Sequence, residues 1–183
     1  MMQIDPATGL LLNVRHVPSP NCNDRPLGTT IDLLVIHNIS LPPGEFGHPY
    51  VDAFFTNTLD ETLHPYFAEI ASLTVSSHCL IRRDGEIVQY VSFNKRAWHA
   101  GVSYFAGREN CNDFSIGIEL EGTDHIPYTK EQYQVLAELM TTLKNVYPKI
   151  THDRIVGHET IAPTRKTDPG PAFDWPLLAT LLV

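Results

Sequence analysis

Leu33-Leu34-Val35-Ile36-His37 is the stretch from which the fold can be read. Four apolar residues run together without alternation, and a histidine closes them. A strand wet on one face alternates apolar and polar residues, so this run reads as a strand buried in a sheet. Phe114 to Leu120 reads as a second strand, with Ile116, Ile118 and Leu120 on one side and Gly117, Glu119 and Glu121 on the other. His78 to Tyr90 has the pattern of a hairpin, in which Asp84-Gly85 suits a two-residue type I′ turn.

The helical signals surround these strands. Thr129-Lys130-Glu131-Gln132 has capping-box spacing. Tyr133, Leu136, Ala137, Met140, Leu143 and Tyr147 recur at helical intervals, and Pro148 stops them. The Met and Tyr in that stripe are core packing. Val51 to Phe55 reads as a short helix, and Asp174 as the cap of a final helix through Leu182. Ile155 to Gly157 forms a short strand leading into His158. The expected class is α/β, a mixed central sheet flanked by helices, with chemistry on strand ends and loops.

A length of 183 residues and a 43% hydrophobic content suit one domain, residues 1–183, with a real core. Thirteen basic against 21 acidic residues give a net charge of -8. That balance argues against a nucleic-acid binder, which needs a basic face, and gives no attraction to anionic membranes. No apolar run approaches the ~18 residues of a membrane span. Met1-Met2-Gln3-Ile4-Asp5-Pro6 lacks the charged start and apolar stretch of a signal peptide, so a cytoplasmic location is expected. Cys22, Cys79 and Cys111 form no CxxC pair and read as free thiols in a reducing compartment. A monomer is the simplest expectation.

His37, His158 and Asp168 carry the sharpest chemical signal. Two imidazoles and one carboxylate are the ligand count of a catalytic zinc that keeps its fourth position for water. Taken singly, each histidine reads more readily as a hydrogen-bonded structural residue, and Asp168 equally as a turn residue. Glu119 and Glu121 share a strand face, and a glutamate in so apolar a strand needs a partner or a task. Pattern alone does not choose between them as general base. Lys166 lies two residues from Asp168, where it could oppose charge on an oxyanion. Trp98 and His99 stand on a loop, with an aromatic face suited to a sugar ring.

Six stretches carry a family resemblance: Val35 to Ser40, Ser77 to Gly85, Arg96 to Gly101, Ser115 to Gly122, Val156 to His158 and Arg165 to Gly170. In order along the chain, they resemble the zinc N-acetylmuramoyl-L-alanine amidase family, shared with phage T7-type lysozyme and peptidoglycan recognition proteins. The resemblance is to its anhydro-muropeptide branch, in which an aspartate rather than a cysteine is the third ligand. It implies a Zn2+ held by His37, His158 and Asp168, with Glu119 and Lys166 catalytic. Asn38, Trp98 and His99 match substrate-binding positions. The implied activity is hydrolysis of the amide between the muramyl lactyl group and L-alanine, on a small muropeptide, in cytoplasmic peptidoglycan recycling.

Overall fold

Six strands make the central sheet: β1 (Arg15–His16), β2 (Leu33–Ile39), β3 (Cys79–Ile81), β4 (Ile87–Gln89), β5 (Ser115–Glu121) and β6 (Ile155–Gly157). The computed structural model describes residues 2–182. Across the sheet the order is β6-β2-β5-β3-β4-β1. Only β3 and β4 run antiparallel; the other neighbours are parallel. The sheet is therefore mixed, as the strand patterns predict.

Helices cover both faces, which is why β2 and β5 show no wet side. One face carries Leu34, Ile36, Ile116, Ile118 and Leu120, packed on Leu136, Met140 and Leu143 of α3 (Lys130–Val146) and Leu178 of α5 (Trp175–Leu181). Over β3 and β4 the other face packs Leu80 and Val88 against α1 (Tyr50–Phe55) and α2 (Pro65–Ile70). Over β2 it packs Leu33 and Val35 against Ala100, Phe114 and Ile161, the last from α4 (His158–Ile161).

The capping box of α3 forms in both directions. Gln132 N donates to Thr129 Oγ1 at 3.1 Å, and Thr129 N donates to Gln132 Oε1 at 3.0 Å. Asp174 caps α5 by accepting from Leu177 N at 2.8 Å. The hairpin differs from its expected turn. Gly85 has φ +90°, but Asp84 is not in the positive-φ region that a type I′ turn demands of both central residues. The chain instead turns over residues 82–85, closed by Gly85 N donating to Arg82 O, and Arg82 N then pairs with Glu86 O. The loop is longer than two residues: Gly85 alone takes positive φ, and Arg82 and Glu86 close it, with Arg82 ion-paired to both Glu86 and Asp52.

Candidate active site at the carboxyl ends of the parallel strands

The parallel register assembles the site. Glu119 of β5 lies beside His37 of β2, and Gly157 of β6 lies beside Ile36. His158, the next residue, opens α4 and so stands next to His37. In parallel sheets, ligand crevices form outside the carboxyl ends of the strands, and these are such ends. Asp168 arrives on the loop after α4, whose backbone is tied back by Glu159 N donating to Asp168 O at 3.1 Å.

Three side-chain atoms converge. His37 Nδ1 lies 3.0 Å from His158 Nδ1 and 3.1 Å from Asp168 Oδ2, and the latter two are 3.2 Å apart. His158 Nε2 faces the carbonyl of Ala100 at 3.1 Å. A carbonyl only accepts, so that nitrogen bears the proton and His158 Nδ1 presents a lone pair. Burial pushes the pKa of His37 down to about 4, against the opposing pull of Asp168, so this ring is neutral near pH 7. Although burial raises the Asp168 carboxyl, the His158 and His37 rings against it hold it well below the usual carboxylate range. One proton at most is available to a triangle of three acceptors.

That triangle fits a metal ion. A tetrahedral zinc with bonds of about 2.0–2.1 Å needs donor atoms about 3.3–3.4 Å apart, close to the edges observed. The donor set of two imidazoles and a carboxylate is one that zinc accepts readily. Among the described residues this is the group of histidine, cysteine or acidic side chains that could hold an ion.

Glu119 is buried beside it, and its Oε2 has no hydrogen-bond partner. Burial, then the charge of Asp168, raises its pKa well above the usual value, while Lys166 pulls the other way. Glu121 has a different environment. Although it ends its strand, Glu121 is only 3% exposed. Its carboxylate accepts from Gly47 N at 2.6 Å and Arg83 N at 3.1 Å, and lies 3.6 Å from Arg82. It is a fully engaged structural anchor, and only Glu119 opens onto the cavity.

The cavity is about 550 Å³. His37, His158 and Asp168 lie in it with Glu119 and Lys166, and Asn38, Trp98 and His99 also line it. Asn38 donates to Asp124 Oδ1 and Pro169 O, tying the strand end to the Asp168 loop. Trp98 Nε1 donates to Asn23, which anchors the indole. Both His99 ring nitrogens are engaged by protein atoms, His37 Nε2 at 2.8 Å and Ser115 Oγ at 3.0 Å. An apolar lobe built by Phe54, Phe55, Tyr66, Ile70 and Val75 was not anticipated. The available signal was His64-Pro65: proline suits the first turn of a helix, and His64 caps α2 by accepting from Tyr66 N.

The chain is similar to known proteins over nearly its whole length. The family model described as N-acetylmuramoyl-L-alanine amidase matches residues 27–171. The 1,6-anhydro-N-acetylmuramyl-L-alanine amidase AmpD of Salmonella typhimurium (strain SL1344) is 64% identical over 177 residues, 97% of this chain and 94% of that protein. A selenomethionine AmpD crystal structure superposes with a TM-score of 0.96 at 60% identity, covering 100% of both chains. The Escherichia coli amidase AmiD, solved with the substrate anhydro-N-acetylmuramic acid-L-Ala-D-gamma-Glu-L-Lys, matches with a TM-score of 0.60 at 29% identity, over 98% of this chain and 65% of that one. With a histidine–histidine–aspartate triangle at the strand ends and this kinship over nearly its whole length, the chain belongs to the N-acetylmuramoyl-L-alanine amidase family, among the AmpD amidases.

Proposed function

We propose that this chain acts as one zinc amidase domain that cleaves the amide between the lactyl group of 1,6-anhydro-N-acetylmuramic acid and L-alanine, in cytoplasmic peptidoglycan recycling. The observation that carries the reading is the convergence of three lone-pair atoms beside a buried carboxyl that has one oxygen without a partner. His37, His158 and Asp168 would hold the ion. A zinc there supplies Lewis acidity, polarising a carbonyl and bringing the pKa of water toward ~7.

The protein's own groups do the rest. Glu119 takes the proton of the attacking water and returns it to the departing alanine amine. Its raised pKa suits this, because the returned proton must reside on the carboxyl between the two transfers. Lys166 stands on the cavity wall within electrostatic reach of Glu119 and opposes the charge that develops on the carbonyl oxygen. Trp98 presents its indole to the muramyl ring, with Asn38 and His99 beside it on the wall. The substrate is a small muropeptide, like that bound by AmiD. No helix among the described residues is long and apolar enough to cross a membrane.

The test is product analysis by mass spectrometry on anhydro-muramyl tripeptide, with protein as isolated, chelated, and chelated then given zinc. Free tripeptide and anhydromuramic acid that appear only with zinc are the expected result. Tight binding without cleavage in every state would mean a recognition module instead.

A further inference from the structure

Gly117 occupies the middle of β5, where glycine weakens a strand unless another group needs the space. The His99 ring fills that space: a Cβ on Gly117 would lie 2.5 Å from His99 Nδ1 and overlap the ring. The ring lies between two hydroxyl- and imidazole-bearing neighbours, with Nδ1 at 2.8 Å from His37 Nε2 and Nε2 at 3.0 Å from Ser115 Oγ. The loop carrying it is fixed independently. Asn112 Oδ1 accepts from both His99 N, at 3.0 Å, and Ala100 N, at 2.8 Å. Arg165 Nη2 donates to Ala100 O and Val102 O at 2.5 and 2.8 Å. The same Ala100 carbonyl receives His158 Nε2. One short segment, residues 99–100, therefore meets the outer nitrogens of both histidines of the triangle.

We propose that His99 is the positioning residue of the metal centre: seated over Gly117 and anchored on Ser115, it accepts the Nε2 proton of His37 and leaves His37 Nδ1 as a lone pair aimed at the ion. Metal-binding histidines usually give their outer N–H to a carboxylate, a carbonyl or water. Here one ligand uses the Ala100 carbonyl and the other a neutral imidazole. The imidazole is an acceptor at Nδ1 only if its own proton sits on Nε2, and Ser115 Oγ is placed to receive that proton. This role goes beyond contact with substrate. It rests on the metal reading above, and explains why a glycine interrupts the most buried strand.

The experiment is zinc affinity by competition with a chromophoric chelator, alongside melting of the chelated protein. His99→Leu removes the acceptor and is expected to weaken zinc binding about 10–100-fold. His99→Asn places an amide oxygen near the Nδ1 position and should recover most of the affinity. His99→Gln, whose oxygen falls near Nε2, should behave as His99→Leu does. Cobalt-substituted protein gives a second readout, because a misaligned His37 alters the visible bands of the ion. Wild-type affinity in His99→Leu, or equal losses in His99→Leu and His99→Asn, would overturn the proposal while leaving the metal site standing. If His99→Leu does not fold, Ser115→Ala decides: a several-fold loss is expected, and unchanged affinity overturns the proposal. Wild-type protein that fails to take zinc at all would remove the metal reading, and this inference with it.

Discussion

Glu119 and Glu121 sit two residues apart on one strand, and their substitutions should separate cleanly. Glu119→Gln keeps the shape and removes the base, so kcat should fall about 10²–10⁴-fold. Zinc content by atomic absorption should stay at the wild-type level, and near-full activity would refute the assignment. Glu121→Gln does the reverse. It replaces an acceptor of the Gly47 and Arg83 N–H groups by an amide, at a cost of about 1–3 kcal/mol. The melting temperature should drop by several degrees, while activity per folded molecule stays unchanged. Lys166→Ala should lower kcat roughly 10²–10³-fold if its charge faces the developing oxyanion; an effect confined to KM would show that it only binds ground-state substrate. Strand alternation places both glutamates on one face and says nothing more. What distinguishes them is a set of partners at residues 47, 82 and 83, which no local pattern exposes. The same holds for His37 and His99, 62 positions apart in the chain and in contact only because β5 brings Gly117 beneath the loop.

At the scale of elements, legibility follows how local the determining forces are. α3 could be read from sequence because its cap, its apolar stripe and its stop lie within twenty residues. Thr129→Ala tests that cap. It removes the acceptor of Gln132 N and also the hydroxyl that donates to Arg83 O at 2.7 Å. The expected loss is about 0.5–2 kcal/mol, and at roughly 2–4 °C per kcal/mol for a chain of this size the melting point should fall by a few degrees. No change would mean that packing of Leu136, Met140 and Leu143 alone sets the helix start. The hairpin between β3 and β4 is equally legible, and only its turn type differs from the expectation. Asp84-Gly85 is a strong local turn signal, but only Gly85 takes positive φ, and the turn closes one residue wider, between Arg82 and Glu86. α2 escaped notice because six residues are too few to show a period, and only its cap and Pro65 announce it.

For the whole molecule, burying several histidines at once makes the metal-free protein sensitive to acid. His37 is pushed down to about 4 and His78 to about 3, each chiefly by burial, and burial also holds His99 well below its usual value. Unfolded, all three titrate near ~6.5. Between those values the unfolded chain binds more protons than the native one, so stability falls as pH falls. Glu119 works against this. Its raised native pKa means that the native state keeps a proton which the unfolded chain releases above ~4.3, a contribution present in acid and lost as pH rises. His37 and His78 alone, neutral when native and charged when unfolded, leave up to about two protons' difference, a slope on the order of 3 kcal/mol per pH unit from pH 6 to pH 5, to which His99 adds and from which Glu119 subtracts. Calorimetry of chelated protein should therefore show a steep fall in melting temperature between pH 7 and 5. Zinc, by binding only the native state, should raise the melting point throughout that range. Because His37 is already held neutral to about 4, proton competition at that ligand should begin near pH 4 rather than near pH 6.5. A metal-free melting point that stays flat from pH 7 to 5 would mean that the buried histidines become exposed and charged once the ion is gone. The triangle would then be assembled by the metal and not by the fold.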